Sequence, residues 1–225
     1  MRQLALDIAP PPAPTLDNFV PGRNGELVAA LRALAHGASR ERFIYLWGDS
    51  GSGRSHPLRA VLEAARRNGR PAAWFDPASG TPEDALVAAD DVQSLAAEAQ
   101  IGLFNLYNRI RDGSGALVAS GDAAPAQLKL RADLVTRLGA GLVYQLHGLS
   151  DEEKAAALQR HAGARGLRFA PEVIAYLLRH SRRDMPSLLA LLDALDRYSL
   201  ETKRAITLPL LRELLQGAPA AQHSD

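Results

Sequence analysis

The chain of 225 residues carries 26 Lys+Arg against 25 Asp+Glu, a formal net charge of +1, with 47% hydrophobic residues, 5% aromatic residues and no cysteine. A balance this close to neutral excludes a generally basic, nucleic-acid-coating protein, leaving room only for a local basic patch, and the missing cysteine excludes disulfides, Cys-ligated zinc and iron–sulfur clusters. No stretch reaches the ~18 apolar residues of a membrane helix and Met1 to Ile8 lacks the run of a secretory signal, so a soluble cytoplasmic protein of one to two domains is expected, its core mostly Leu, Ala and Val.

Gln3-Leu4-Ala5-Leu6-Asp7-Ile8 comes first in chain order. Extended, it puts Leu4, Leu6 and Ile8 on one face and leaves Gln3 free to hydrogen-bond, the layout of a short docking peptide; the plain alternative is an unstructured start. Prolines at 10, 11, 12 and 14 fix φ and remove backbone donors, so a stiff linker holds this tail away from the body of the protein. Five apolar runs then read as strands: Phe43-Ile44-Tyr45-Leu46-Trp47, Pro71-Ala72-Ala73-Trp74-Phe75, Ala85-Leu86-Val87-Ala88-Ala89, Gly115-Ala116-Leu117-Val118-Ala119 and Gly141-Leu142-Val143-Tyr144-Gln145-Leu146. Uninterrupted runs of this length suit strands buried on both faces, and most of the segments between them are long enough for crossover helices. The expectation is a β/α alternation with a mostly parallel sheet.

After Leu149 the pattern turns helical. Ser150 with Glu153 forms a capping-box signature for a helix to about Ala164, ended by Gly166. Pro171 suits the first turn of a helix through about His180. From Pro186 to Leu200, Leu188, Leu189, Leu191, Leu192 and Leu195 recur at the spacing of a buried helical face, and Thr207 can cap a last helix ending near Gln216. The residues from Gly217 on read as a disordered tail.

Gly48-Asp49-Ser50-Gly51-Ser52-Gly53-Arg54-Ser55 fits the phosphate-loop pattern G-x-x-x-x-G-K-[ST] with Arg54 in place of lysine, directly after a predicted strand and at the start of a predicted helix. Gly48, Gly51 and Gly53 let backbone N–H groups turn inward around an anionic oxygen. The helix from Ser55 aims its positive end at the same point, and the Ser55 hydroxyl is placed for Mg²⁺. Arg54 keeps the charge in a longer, planar group, which favours β-phosphate binding over efficient γ-phosphate transfer. Asp90 and Asp91 end the third strand: in P-loop proteins the first acid holds Mg²⁺ through water and the second orients a hydrolytic water. Asp122, after the fourth strand, is expected beside Asp90 at the carboxyl edge of the sheet. Read alone, each acid also fits an ordinary turn.

The ordered set of phosphate loop, Asp90-Asp91, Ser120-Gly121-Asp122, Asp133-Leu134-Val135-Thr136-Arg137-Leu138 and Arg183-Asp184-Met185 resembles the AAA+ module of the bacterial replication initiator DnaA. Within that group it resembles the Hda family of small homologues that inactivate DnaA, from Gln3 to about Leu215. Thr15-Leu16-Asp17-Asn18-Phe19-Val20-Pro21-Gly22 is similar to the entry segment that packs against adenine, and Gly51-Ser52-Gly53-Arg54-Ser55-His56 to the Hda phosphate loop. Leu103-Phe104-Asn105-Leu106-Tyr107-Asn108-Arg109-Ile110 is similar as well.

The resemblance implies an α/β AAA+ P-loop parallel sheet with flanking helices, followed by a small all-helical lid. It divides the chain into a clamp-binding tail and Pro-rich linker (1–14), a nucleotide-binding base (15–148), a lid (149–217) and a disordered tail (218–225). It implies ADP or ATP with Mg²⁺ as cofactors. The nucleotide would be held by Asn18, Phe19, Val20, Gly48, Gly51, Ser52, Gly53, Arg54, Ser55 and His56, with Asp122 at the sensor 1 and Arg183 at the sensor 2 position, and the metal by Ser55 and Asp90. Asp91 belongs to the hydrolytic machinery, and Arg137 matches the arginine finger that enters a neighbouring subunit's site. Spacing alone leaves Arg137 and Arg183 open as solvated surface charges. Gln3, Leu4, Leu6 and Ile8 match the peptide that binds the β sliding clamp of DNA polymerase III. The implied function is clamp-tethered stimulation of DnaA-bound ATP hydrolysis in trans, which prevents re-initiation, with only weak intrinsic ATPase activity. The alternative is a self-sufficient DnaA-like ATPase or helicase loader. DnaA and the clamp are the expected partners, with a homo-oligomer open. DnaA continues into a helix-turn-helix domain where this chain stops, so no direct sequence-specific DNA binding is expected.

Overall fold

All five apolar runs become strands of one sheet. The computed structural model describes residues 13–49, 51–78, 84–182 and 184–217. Its strands are β1 (Phe43–Trp47), β2 (Ala72–Trp74), β3 (Leu86–Ala89), β4 (Ala116–Gly121) and β5 (Leu142–Gln145). They lie in the order β2-β3-β4-β1-β5, and every neighbouring pair is parallel. Tyr45 of β1 stands opposite Ala119 of β4 on one side and Val143 of β5 on the other.

Parallel neighbours need crossovers, and helices α1 (Gly25–Ala35), α2 (Ser55–Arg67), α3 (Ala97–Asp112) and α4 (Ala132–Leu138) cover the two faces. Alternation along the strands sorts them. Ile44, Leu46, Leu86, Ala88, Ala116 and Val118 face a core with Leu27, Leu31 and Leu34 of α1 and Leu58, Val61 and Leu62 of α2. Tyr45, Val87, Ala89, Leu117 and Ala119 face a second core with Leu103, Leu106 and Ile110 of α3 and Leu134 and Leu138 of α4. β3 and β4 are buried at every position, as their unbroken apolar runs require. β2 and β5 are the edge strands, and Trp74 of β2 and Leu142 and Val143 of β5 are exposed.

The chain divides into two compact units between Gly148 and Leu149. The second contains α5 (Asp151–Ala164), α6 (Pro171–His180), α7 (Met185–Thr202) and α8 (Leu208–Gly217). The capping box at α5 is formed: the Glu153 N–H donates to Ser150 Oγ at 3.2 Å, and the Ser150 N–H to Glu153 Oε2 at 2.8 Å. α7 begins one residue before the expected Pro186, because Asp184 accepts the Ser187 N–H at 2.9 Å and so places the proline in the first turn, where its missing N–H costs nothing. Leu158, Val173, Leu177, Leu188, Leu192, Leu195, Leu210, Leu211 and Leu214 form this unit's own core. Among the described residues no helix is long and apolar enough to cross a membrane. The expected docking residues Gln3, Leu4, Leu6 and Ile8, the expected sensor Arg183 and the segment 218–225 lie outside the described residues.

Candidate functional site

β1, β3 and β4 all end on one edge of the sheet, and the residues singled out for chemistry follow their ends. After Trp47 the chain turns sharply into α2. Gly51 (φ 78°) and Gly53 (φ 92°) occupy the left-handed region. Gly48 is required for space: a Cβ there would stand 2.5 Å from the Leu146 carbonyl oxygen and 2.9 Å from Ser52 Oγ. No side chain caps α2: the His56 N–H is taken by the Gly53 carbonyl at 3.1 Å, and Pro57, next in the first turn, has none to offer. Ser52 Oγ is buried with no hydrogen-bond partner among the described residues. A glycine cradle and an orphaned hydroxyl at the start of a helix fit an anionic phosphate oxygen. Ser55, in the first turn of α2, is half-buried.

The entry segment meets this loop at His56. Its ring lies 5.3 Å from that of Phe19, and Nε2 is 3.4 Å from the Thr15 carbonyl. Burial holds the imidazole below its ordinary pKa, with the Thr15 contact opposing, so it is neutral at pH 7. Asn18 Oδ1 accepts the Thr15 N–H at 2.8 Å while Thr15 Oγ1 accepts the Asn18 N–H at 3.1 Å, a reciprocal pair that shapes the segment. Val20 is half-buried beside it in sequence.

Arg54 does more than supply charge. Its guanidinium donates to the carbonyls of Gly48 and Asp49, both in its own loop, and Nη2 donates to Asp91 Oδ1 at 2.8 Å. Asp91 itself sits in the left-handed region at φ 48°. Gln93 donates to the same carboxylate oxygen at 3.1 Å. That bond, followed by the one from Arg54, holds the carboxyl below the usual Asp range against a smaller opposing effect of burial. The acid expected to orient water is therefore engaged by the residue that replaces the loop lysine.

Asp90 is bonded by the Ser120 hydroxyl, which is fully buried. β3 and β4 pair Ala89 with Ala119, so the residue opposite Asp90 is Ser120, which bonds it, and Asp122 follows two positions later along the same chain end. The Asp122 N–H donates to Gln93 Oε1 at 3.2 Å, so Gln93 bridges the ends of the two strands. Nothing in the sequence pattern marked Gln93. The Asp122 charge, second to burial, also helps to raise the pKa of the Tyr45 phenol. That hydroxyl donates to the Ala123 carbonyl at 2.7 Å.

Arg137 is not part of this cluster. Half-buried on α4, its guanidinium lies 5.6 Å from the centroid of the Tyr107 ring and 5.8 Å from that of Phe104. It lines a small recess with Phe43 and Tyr45, near the start of β1 rather than the end that carries the phosphate loop. Among the described residues it has no carboxylate within 4.0 Å.

A phosphate loop after a central strand, paired acids after a neighbouring strand, a five-stranded parallel sheet and a separate helical unit make up an AAA+-type fold. Solved structures share this fold. Domain III of the Thermotoga maritima replication initiation protein DnaA is 22% identical, with a TM-score of 0.67 over 91% of this chain and 96% of that one. DnaA from Aquifex aeolicus, bound to AMPPCP, is 20% identical, with a TM-score of 0.67 over 87% and 68%. A Thermotoga maritima RuvB mutant is 14% identical, with a TM-score of 0.62 over 90% and 72%. Residues 151–215 match the family model described as Hda, lid domain. The helical unit is thus similar to the Hda lid domain, and the chain as a whole shares the fold of DnaA domain III.

Proposed function

We propose that this protein is a cytoplasmic, nucleotide-bound inactivator of DnaA that acts in trans. Gln3, Leu4, Leu6 and Ile8 dock it on the β sliding clamp, and Arg137 enters the nucleotide site of a DnaA molecule. A positive charge there stabilises the transition state for loss of the γ-phosphate, and a finger supplied in trans contributes roughly 10³–10⁵ in rate. DnaA left with ADP does not start another round of replication. The observation that carries this reading is the setting of Arg137: backed by two aromatic rings, without a carboxylate partner among the described residues, and beside the start of β1 rather than its own phosphate loop. The Arg54–Asp91 pair supports it from the other side, because it occupies the acid that a self-sufficient ATPase needs for its water.

The chain's own site takes ADP or ATP. Backbone groups of Gly48, Gly51 and Gly53 with the Ser52 hydroxyl would hold phosphate, Ser55 and Asp90 would hold Mg²⁺, and Asn18, Phe19, Val20 and His56 would line the base, with Arg54, Asp122 and Arg183 completing the set. Bound nucleotide supplies the negative charge for which the loop is built. AMPPCP in Aquifex aeolicus DnaA is consistent with that choice.

Hydrolysis of DnaA-bound ATP, measured with this protein and DNA-loaded clamp, tests the reading. Arg137→Ala should abolish the stimulation while the protein still co-purifies with the clamp. Stimulation equal to that of the unmodified protein would overturn the finger assignment.

A further inference from the structure

An asparagine just before a helix ordinarily caps it. Asn24 stands at that position before α1 and makes no side-chain bond to the helix. Its Nδ2 donates instead to the His147 carbonyl at 2.8 Å, and its Oδ1 accepts the His147 N–H at 2.8 Å. The residue is only 5% exposed, so the amide is committed to this pair. The pair works as one extra rung of the sheet. β5 runs beside β1 as far as Gln145 opposite Trp47, and the Leu146 N–H still reaches the Trp47 carbonyl at 2.6 Å. Beyond that point β1 has no residue left for the ladder, and a side chain takes over the pairing that backbone groups require.

The segment held in this way lies against the phosphate loop. The Leu146 carbonyl is what excludes a Cβ at Gly48, and a Cβ on Gly148 would lie 3.8 Å from Ser52 Cα. The Asn24 N–H also donates to the Pro21 carbonyl at 2.7 Å, closing the turn that comes after Asn18, Phe19 and Val20. We propose that Asn24 is a positioning residue for nucleotide binding: its side chain fixes residues 146–148 as the surface against which the phosphate loop curves, and its backbone sets the exit of the segment that carries Phe19. This inference rests on the nucleotide reading above.

The test is calorimetric titration of the full chain with ADP and Mg²⁺, alongside the Tm of each variant without nucleotide. Asn24→Ser removes the rung and should weaken ADP binding at least tenfold. Asn24→Asp keeps the acceptor for the His147 N–H but sets an oxygen against the His147 carbonyl, and should also bind more weakly; it serves if the serine variant does not fold. Arg70→Ala, which removes a 2.7 Å bond to the Leu34 carbonyl away from the loop, should lower Tm while binding ADP like the unmodified chain. Unaltered ADP affinity in a folded Asn24 variant, whatever its Tm, overturns the inference alone. No ADP binding by the unmodified chain overturns the nucleotide reading and this inference with it.

Discussion

Position 54 decides how the phosphate loop spends its cation. A lysine ammonium is a compact point charge, whereas the Arg54 fork reaches two carbonyls of its own loop and the Asp91 carboxylate at once. Only 12% of the Arg54 side chain is exposed, so this is a partly desolvated pair rather than a surface one. Arg54→Lys should release Asp91. The expected outcome is faster single-turnover hydrolysis of ATP by the isolated protein, toward the roughly 10²–10⁴-fold that a positioned acid–base group contributes. A rate unchanged at equal ATP occupancy would show that the pair does not restrain the reaction. The loop was legible residue by residue, since glycine spacing after an apolar strand carries its own signal. The Arg54–Asp91 contact was not legible: it joins residues 37 apart and depends on Asp91 adopting a left-handed backbone.

Elements matched the sequence most closely where a local rule acts alone. Ser150 and Glu153 are three residues apart, and the box they form needs nothing else. Ser150→Ala should cost about 0.5–2 kcal/mol, read as a lower denaturation midpoint of the helical unit with an unchanged slope. The five strands were legible from continuous apolar runs, yet β4 extends to Ser120 and Gly121, beyond the run that marked it. Ser120 is buried because it serves Asp90, and Gly121 because Tyr45 leaves no room: a Cβ there would fall 2.1 Å from the phenol oxygen. Neither requirement is local, so hydropathy could not reveal it. α3 is fixed at its end in a similarly nonlocal way, with Arg42 donating to the carbonyls of Ile110, Arg111, Gly113 and Gly115.

The whole molecule has separate hydrophobic centres in its two units. Leu31 and Leu192 are each fully buried, one in each unit's own core. Leu31→Ala and Leu192→Ala should each cost about 2–5 kcal/mol, and the double variant should lose their sum within about 0.5 kcal/mol in denaturant titrations. A large departure from additivity would mean that the units share one cooperative core. Sequence alone indicated β/α alternation and then helices but not the strand order, because which crossover skips which strand is a property of the assembled sheet. The Asn24–His147 rung belongs to the same scale. Its partners are 123 residues apart, and closing so wide a span brings an entropy penalty that neighbouring residues never face. A nascent chain lacks this rung until its last strand has left the ribosome, so the surface it shapes is among the final parts of the sheet unit to be finished, however early α1 has formed.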